Sequence, residues 1–371
     1  MLICAGGTGG GVYPALAVLK ALGEQANPVL WVGGQGGIEA DLVQRAGVPF
    51  QAIPAAGLHG VGLTSLPGNF LQLGRGVLAS RRILKQFNPE VILFTGGYVA
   101  APMAVASNQI PKLLYVPDIE PGMALKFLVR FSDCIAITTQ ESRSYFPETA
   151  RTVVTGYPTR PELAEWPGRK AQSRQILDVH SDLPVILVFG GSRGARSINQ
   201  ALLAILPTLL ETAEVVHITG SLDWNEARTY KDAMPAALSA RYHPHTYLHD
   251  QMGAALAAAD LVLSRSGASV LGEYPLFGLP AILVPYPYAW RYQKVNADFL
   301  VQRGAAELLP DEQLKEKMLP TLLATLQDQA RLQSMRQVVS TLAHPTAAAE
   351  IANLALELAA SGAVREGNRH G

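Results

Sequence analysis

Two stretches of this chain repeat one pattern, and that pattern restricts the fold more than any other feature of the sequence. "LICAGGTGGGVYPALAVLKAL" begins at Leu2 and "VILVFGGSRGARSINQALLAIL" at Val185. Each reads as an apolar strand, a glycine-rich loop and an amphipathic helix. The double glycines Gly6-Gly7 and Gly190-Gly191 stand about a domain's length apart, much further than a solenoid period. Short Val/Ile/Leu-rich runs alternate with helical patterns after each. "VLWVGG", "EVILFTGGY", "KLLYVPD" and "CIAITT" lie in the first half; "EVVHITG", "DLVLSRS" and "PAILVPY" lie in the second. Continuous apolar strands alternating with helices make parallel sheets covered on both faces. The expected class is α/β: two doubly wound, Rossmann-like domains with ligands at the carboxyl ends of the strands.

Composition agrees with that class. A chain of 371 residues is too long for one ordinary core, and with 49% hydrophobic residues it has ample material for two. The formal net charge of zero gives no global field to recruit nucleic acid, so none is expected as a partner. Two cysteines, Cys4 and Cys134, make no disulfide framework and have no metal-type spacing. There is no leader-like N-terminus, and no apolar run reaches the about 20 residues that span a bilayer. The proline-rich stretch "VVTGYPTRPELAEWPGRKAQ" marks a boundary. It separates a first domain, 1–158, from a second, 159–344. A helix at 345–361 either caps the second domain or crosses back to the first, and 362–371 is expected to be a disordered tail.

The chemistry concentrates in the loops. Glycine lacks a Cβ and lets a ligand approach the backbone. Loop amides at a helix N-terminus attract anions. The first loop, with Thr8, Gly9 and Gly10, is therefore either an anion cradle or a tight turn. The second adds Ser192, Arg193 and Arg196, either to hold a phosphate or, for the serine, to cap a helix. In "DLVLSRSGASVLGEYPLFGLPAILVPYPYAWRYQKVNADFL", Ser266 is expected to cap a helix starting at Gly267. Glu273, about two turns inward, is either a ligand for vicinal hydroxyls or a solvated surface residue. Gln293 and Asn296 share a helical face and offer amides to a sugar. His243, His245 and His249 with Asp250 raise a metal site against ordinary loop histidines. Neither an Asp-x-Asp pair nor a Gly-x-Ser-x-Gly elbow occurs. "FLQLGRGVLASRRILKQF" places Phe70, Leu73, Val77 and Leu84 on one face, with Arg75, Arg81, Arg82 and Lys85 elsewhere. It is either a basic membrane-surface helix, extended by "KFLVRF" at 126–131, or one packed on its own domain.

Laid out in order, "GGTGG" with "PALAV", "GGYVAAP", "GYPTR", "GGSRGA-x-x-x-N", "SRSGAS-x-x-x-E", "GLPAILVPYP" and "Q-x-x-NA" make the chain resemble the MurG family over most of its length. The resemblance implies the GT-B fold, two doubly wound Rossmann-like domains facing a cleft, with the terminal helix crossing back to the first domain. It implies inverting transfer of GlcNAc from UDP-GlcNAc to lipid I, undecaprenyl-diphosphoryl-MurNAc-pentapeptide, which yields lipid II in peptidoglycan synthesis. The enzyme would work as a peripheral protein on the cytoplasmic face of the cell membrane, with no cofactor and no metal. Arg160, Ser192, Ala268, Ser269, Val270, Leu271, Gly272, Glu273 and Gln293 occupy the family's nucleotide-sugar positions. Glu273 would take the ribose diol, Ser192 the diphosphate and Gln293 the sugar hydroxyls. Thr8, Gly9 and Gly10 would face the acceptor.

Two departures fall on the acceptor side. Gly11 stands where the family has a histidine, and "VPDIEPG" replaces its His-Glu-Gln-Asn stretch, with Asp118 at the asparagine. The general base for the acceptor hydroxyl is left open among Asp118, Glu120 and His59. The readings that compete with the resemblance are a GT-B transferase with another lipid or glycan acceptor, a non-catalytic UDP-sugar-binding homologue, and a sugar-nucleotide epimerase.

Overall fold

Apolar runs of three to five residues, most ending at a glycine, a proline or a polar turn, are too short for helices and set the strands of both halves. The structure, a computed structural model, describes residues 1–6, 9–37, 39–55, 66–191, 194–288 and 292–367. It divides into two units, Met1–Arg160 with Pro345–Gly371, and Pro161–His344.

In unit 1 the strands are β1 (Leu2–Ala5), β2 (Leu30–Gly34), β3 (Phe50–Ile53), β4 (Ile92–Gly96), β5 (Lys112–Val116), β6 (Cys134–Ile137) and β7 (Thr152–Val154). They form one parallel sheet in the order β3-β2-β1-β4-β5-β6-β7. The helices are α1 (Gly9–Leu22), α2 (Glu39–Arg45), α3 (Leu66–Phe87), α4 (Ala100–Ala106) and α5 (Met123–Leu128). Alternation along the strands splits the core. Ile3, Leu93 and Tyr115 pack with Val12, Ala15 and Val18 of α1. Leu2, Phe94 and Leu114 pack on the other face with Leu84 of α3 and Met103 of α4. Gly74 and Gly76 argue against a continuous α3 on propensity, yet the helix runs through both. The packing explains Gly76: a Cβ there would overlap the Pro54 carbonyl and lie 3.1 Å from Pro102 of α4.

Unit 2 repeats the plan. Strands β8 (Val185–Phe189), β9 (Glu214–Ile218), β10 (Tyr242–His245), β11 (Leu261–Ser264), β12 (Ala281–Leu283) and β13 (Ala306–Leu308) run parallel in the order β10-β9-β8-β11-β12-β13. Its helices are α6 (Lys170–Ile176), α7 (Arg196–Leu209), α8 (Trp224–Asp232), α9 (Ala236–Ser239), α10 (Met252–Ala258), α11 (Glu273–Phe277), α12 (Tyr292–Gln302), α13 (Leu314–Gln327) and α14 (Gln329–Ser340). Ile198, Leu202 and Leu206 of α7 meet Met318 and Leu322 of α13 over the sheet.

The last helix, α15 (Ala347–Gly367), lies in unit 1 and buries Ile351, Ala355 and Leu358 in the core shared with α1. It does not stop at 361 as the sequence suggests. Residues 362–367 continue the helix, because Ala-Val-Arg-Glu at 363–366 contains no breaker and Gly362 fits closely against Pro111. Residues 368–371 lie outside the described ones. In each sheet the repeated glycine loop leaves the strand at which the order reverses, β1 between β2 and β4, and β8 between β9 and β11. That is where doubly wound sheets bind ligands.

Candidate functional site

In unit 2 the strands' carboxyl ends are tied together by one arginine. Arg265, just past β11, is only 9% exposed. Its Nη1 donates to Asp311 Oδ1 at 2.5 Å and to the carbonyls of Val284 and Pro285 at 3.2 and 3.3 Å. Its Nη2 donates to Ser197 Oγ at 2.8 Å, and Ser197 in turn donates to Asp311. The Tyr286 ring covers the guanidinium at 5.2 Å. One side chain thus fixes the start of α7, the turn after β11 and the loop after β12. Arg265 is not among the residues that the sequence singles out; its place inside "SRSGAS" is the signal that marks it.

The turn itself differs from expectation. Ser266 does not cap a helix; its hydroxyl donates to the Gln293 carbonyl at 2.7 Å. A 3₁₀ turn, Ala268–Leu271, comes first, and Glu273 is the first residue of the short α11, not two turns inward. Gly272 precedes that helix, and Gly278 at φ 58° ends it. Glu273 is buried, as are Ala268, Val270, Leu271 and Gly272, while Ser269 is half-buried. This excludes the solvated-surface reading of Glu273. Asn296, predicted to face a sugar, is fully buried and donates to the Ser266 carbonyl at 3.2 Å, which makes it a brace for the turn. Gln293 Oε1 accepts the Tyr286 N–H at 2.9 Å, so its amide nitrogen faces the other way as a donor. Burial pushes the Tyr274 hydroxyl well above its ordinary range, against the lowering effect of its bond to Ser264. Ser192 and Arg193 lie outside the described residues.

The helix α7, which follows the second glycine loop, is anchored by a buried polar chain. Asn199 Nδ2 donates to the Thr219 carbonyl and to Asp223 Oδ2, both at 2.8 Å. Its Oδ1 lies 2.9 Å from His217 Nε2, and His217 Nδ1 lies 2.8 Å from the Tyr242 hydroxyl. Since Asn Oδ1 only accepts, His217 carries its proton on Nε2 and accepts from Tyr242. Burial pushes the His217 pKa down to about 3, so the ring is neutral. The three histidines of "YHPHTYLHD" do not converge. His243 Nε2 sits 2.7 Å from Glu214 Oε2, and exposed His249 makes a tilted ring contact with Tyr247 at 4.4 Å. Burial alone would raise Glu214, but bonds from Ser181 and His243 hold it below the usual carboxylate range. Among the described residues no group of three or more His, Cys, Asp or Glu is arranged to hold a metal.

In unit 1 the loop after β5 is built over β6. Thr138 Oγ1 lies 2.8 Å from the Pro117 carbonyl and 2.9 Å from the Tyr115 hydroxyl. Of the three candidate bases, Glu120 is 4% exposed and paired with Lys126 Nζ at 3.2 Å, an ion pair that tethers α5. Asp118 is half-buried in the same loop, and His59 lies outside the described residues. Thr8 does too; Gly9 and Gly10 begin α1, with Gly10 exposed. The Gly11 carbonyl accepts from Thr95 Oγ1 at 2.6 Å, and a Cβ at Gly11 would come within 3.2 Å of the Thr95 carbonyl. Arg160 falls in unit 1, its guanidinium 5.2 Å from the Tyr13 ring centroid.

On the surface of unit 1, α3 turns a different face outward from the one the spacing suggests. Leu84 is buried and Leu73 and Val77 are half-buried, so they belong to the domain's own packing; the Phe70 side chain lies outside the description. The exposed stripe is Leu71, Arg75, Leu78, Arg82 and Lys85, with Arg81 beside it. Met123 and Phe127 of α5 are exposed near Lys126 and Arg130, and α4 packs against both α3 and α5. No helix among the described residues is long and apolar enough to cross a membrane.

Residues 1–137 match the glycosyltransferase family 28 N-terminal domain and residues 185–351 the family 28 C-terminal domain. The chain is 38% identical to the UDP-N-acetylglucosamine--N-acetylmuramyl-(pentapeptide) pyrophosphoryl-undecaprenol N-acetylglucosamine transferase of Roseiflexus sp. (strain RS-1), over 94% of this chain and 92% of the relative. Among solved structures it resembles MurG of Acinetobacter baumannii, with a TM-score of 0.75 and 27% identity, covering 96% of this chain and 99% of that one. A UDP-GlcNAc 2-epimerase from Neisseria meningitidis bound to UDP-GlcNAc matches with a TM-score of 0.67 over 96% of this chain and 99% of that one. At 14% identity it shares the fold alone.

Proposed function

The chain belongs to the MurG family of glycosyltransferases, and from that premise we propose that it transfers N-acetylglucosamine from UDP-GlcNAc to lipid I, forming lipid II. The donor is held by unit 2. The observation that carries this is the turn after β11, braced by α12 through Ser266, Gln293 and Asn296 and ending on the buried carboxylate of Glu273. A buried carboxylate suits a ribose diol, to which it offers two acceptors. Gln293 has its oxygen taken by Tyr286 and reads a sugar oxygen as a donor. The backbone of 268–272 lines the donor site, Ser192 meets the diphosphate, and Arg160 is a further donor-binding residue.

The acceptor is met by unit 1 through Thr8, Gly9 and Gly10. Transfer is a displacement at the anomeric carbon: the acceptor 4-hydroxyl oxygen bonds to it, the bond to the UDP β-phosphate breaks, and the hydroxyl proton passes to a base. Of the candidates we assign Asp118 as the base, because it is the half-buried carboxylate of the loop after β5, whereas Glu120 is 4% exposed and His59 lies outside the described residues. Because lipid I is anchored in a bilayer, the exposed Leu71/Leu78 stripe, with Arg75, Arg81, Arg82 and Lys85, and the exposed end of α5 form the docking face. Apolar side chains flanked by cations suit an anionic lipid surface.

Release of UDP on mixing with a soluble lipid I analogue tests this reading. UDP should appear only when the acceptor analogue is present, and Asp118→Asn should slow its release by about 10²-fold or more while leaving UDP affinity unchanged. UDP formed equally without acceptor overturns the transfer. An undiminished Asp118→Asn rate returns the base to Glu120 or His59.

A further inference from the structure

The first glycine loop begins against a buried carboxylate. Glu39, at the start of α2, is 1% exposed, and its Oε1 accepts the Gly34 N–H at 2.8 Å. The carboxylate occupies the space that side chains would take at Gly6 and Gly37. A Cβ on Gly6 would lie 2.8 Å from Glu39 Cδ and overlap Oε1, and one on Gly37 would overlap the carboxylate; at Gly33, on β2, the Phe50 ring is the nearest obstacle at 2.6 Å, with Glu39 Cγ at 2.9 Å. On its other side Gly6 is fixed by Gly97, whose φ is +88° and on which a Cβ would lie 2.9 Å from the Gly6 carbonyl carbon. Gly6 is thus held between Glu39 and the turn after β4.

Burying a carboxylate is unfavourable unless its oxygens are hydrogen-bonded, and here Oε1 is held by the Gly34 N–H at the end of β2. We propose that Glu39 is a positioning residue for transfer. Its carboxylate fixes Gly6 and the end of β2, and so sets where the glycine loop presents itself to the diphosphate-bearing acceptor. On this account Gly6 lacks a side chain because Glu39 needs the room. The proposal rests on the reading that unit 1 meets the acceptor.

The test is a double-mutant cycle of Gly6→Ala with Glu39→Ala, and with Glu39→Asp in case the alanine variant does not fold. Acceptor kcat/KM, UDP affinity and melting temperature are read for each. Glu39→Ala should lower acceptor kcat/KM at least tenfold and leave UDP affinity within twofold. Glu39→Gln keeps an oxygen for the Gly34 N–H and should recover most of the loss. Gly6→Ala should be as damaging as Glu39→Ala in the parent but nearly silent once Glu39 is shortened. Multiplicative effects of the two substitutions would overturn the proposal, as would acceptor kcat/KM within twofold of the parent in Glu39→Ala. If the parent does not act on the acceptor analogue, the proposed function fails separately. The same cycle read in melting temperature then still decides whether Gly6 and Glu39 are coupled, and its absence overturns the cradle.

Discussion

Replacing Arg265 by alanine should loosen unit 2 by about 3–4 kcal/mol. Removing one partner of a buried ion pair costs about 3–5 kcal/mol, because the other charge is left without compensation. Asp311, the partner at 2.5 Å, keeps 18% of its side chain exposed and a bond from Ser197, which puts the ion-pair part near the lower end. The Val284 and Pro285 carbonyls also lose a donor. At 3.2 and 3.3 Å these bonds are long, so each adds at most about 0.5 kcal/mol. Urea unfolding of the parent, Arg265→Ala, Asp311→Asn and the double variant measures both the loss and its coupling. The double variant should lie within about 1 kcal/mol of Arg265→Ala, since the charge left behind is gone. Because Arg265 also anchors the turn after β11 that is assigned to the donor, UDP affinity should fall in Arg265→Ala as well. A loss below about 1 kcal/mol, or fully additive effects, would refute the hub.

Glu273→Ala should weaken UDP binding by about 1.5–3 kcal/mol in calorimetry, the range for a hydrogen bond to a charged group; unchanged affinity in a folded variant removes Glu273 from the ribose. Stability should fall with acid in a window set by His217. Its folded pKa of about 3 lies below the unfolded value of 6.5, so between those values the unfolded chain binds a proton that the native one does not. That drains about 1.4 kcal/mol per pH unit as pH falls through the window, and His217→Gln should flatten this slope in chemical unfolding at pH 4–7. Flotation with anionic vesicles should weaken with salt and drop further when Arg81, Arg82 and Lys85 become Glu, at about 1 kcal/mol per charge removed, with UDP affinity unchanged. Equal flotation of parent and triple variant leaves α3 as an ordinary packed helix.

The repeat of strand, glycine loop and helix was enough to place both parallel sheets, because fully buried strands such as β1 and β12 read as unbroken apolar runs. Edge strands were harder to see. β3 has two exposed residues among its four and β7 is half-buried throughout, so neither carries that signal. Residue types gave the candidate chemistry but not its partners. Gln293 and Asn296 look equivalent at a spacing of three, yet one presents an amide nitrogen and the other braces the Ser266 carbonyl. Glu120 and Asp118 look alike in the sequence, yet Glu120 is buried against Lys126 and Asp118 is half-buried. The turn of α3 also depends on tertiary packing. Gly76 against Pro54 rotates Leu73, Val77 and Leu84 toward the domain and leaves Leu71 and Leu78 outside. Such choices are made by residues distant in the chain, which periodicity does not register.

The most direct measurement is identification of the product formed from UDP-GlcNAc labelled in the sugar and a soluble lipid I analogue, by mass spectrometry and NMR of the glycosidic linkage. GlcNAc should appear joined to the 4-position of the MurNAc residue with inverted anomeric configuration, together with one UDP for each disaccharide. Label recovered as free GlcNAc, as an epimerised nucleotide sugar, or unchanged with the nucleotide merely bound, would contradict transfer to lipid I.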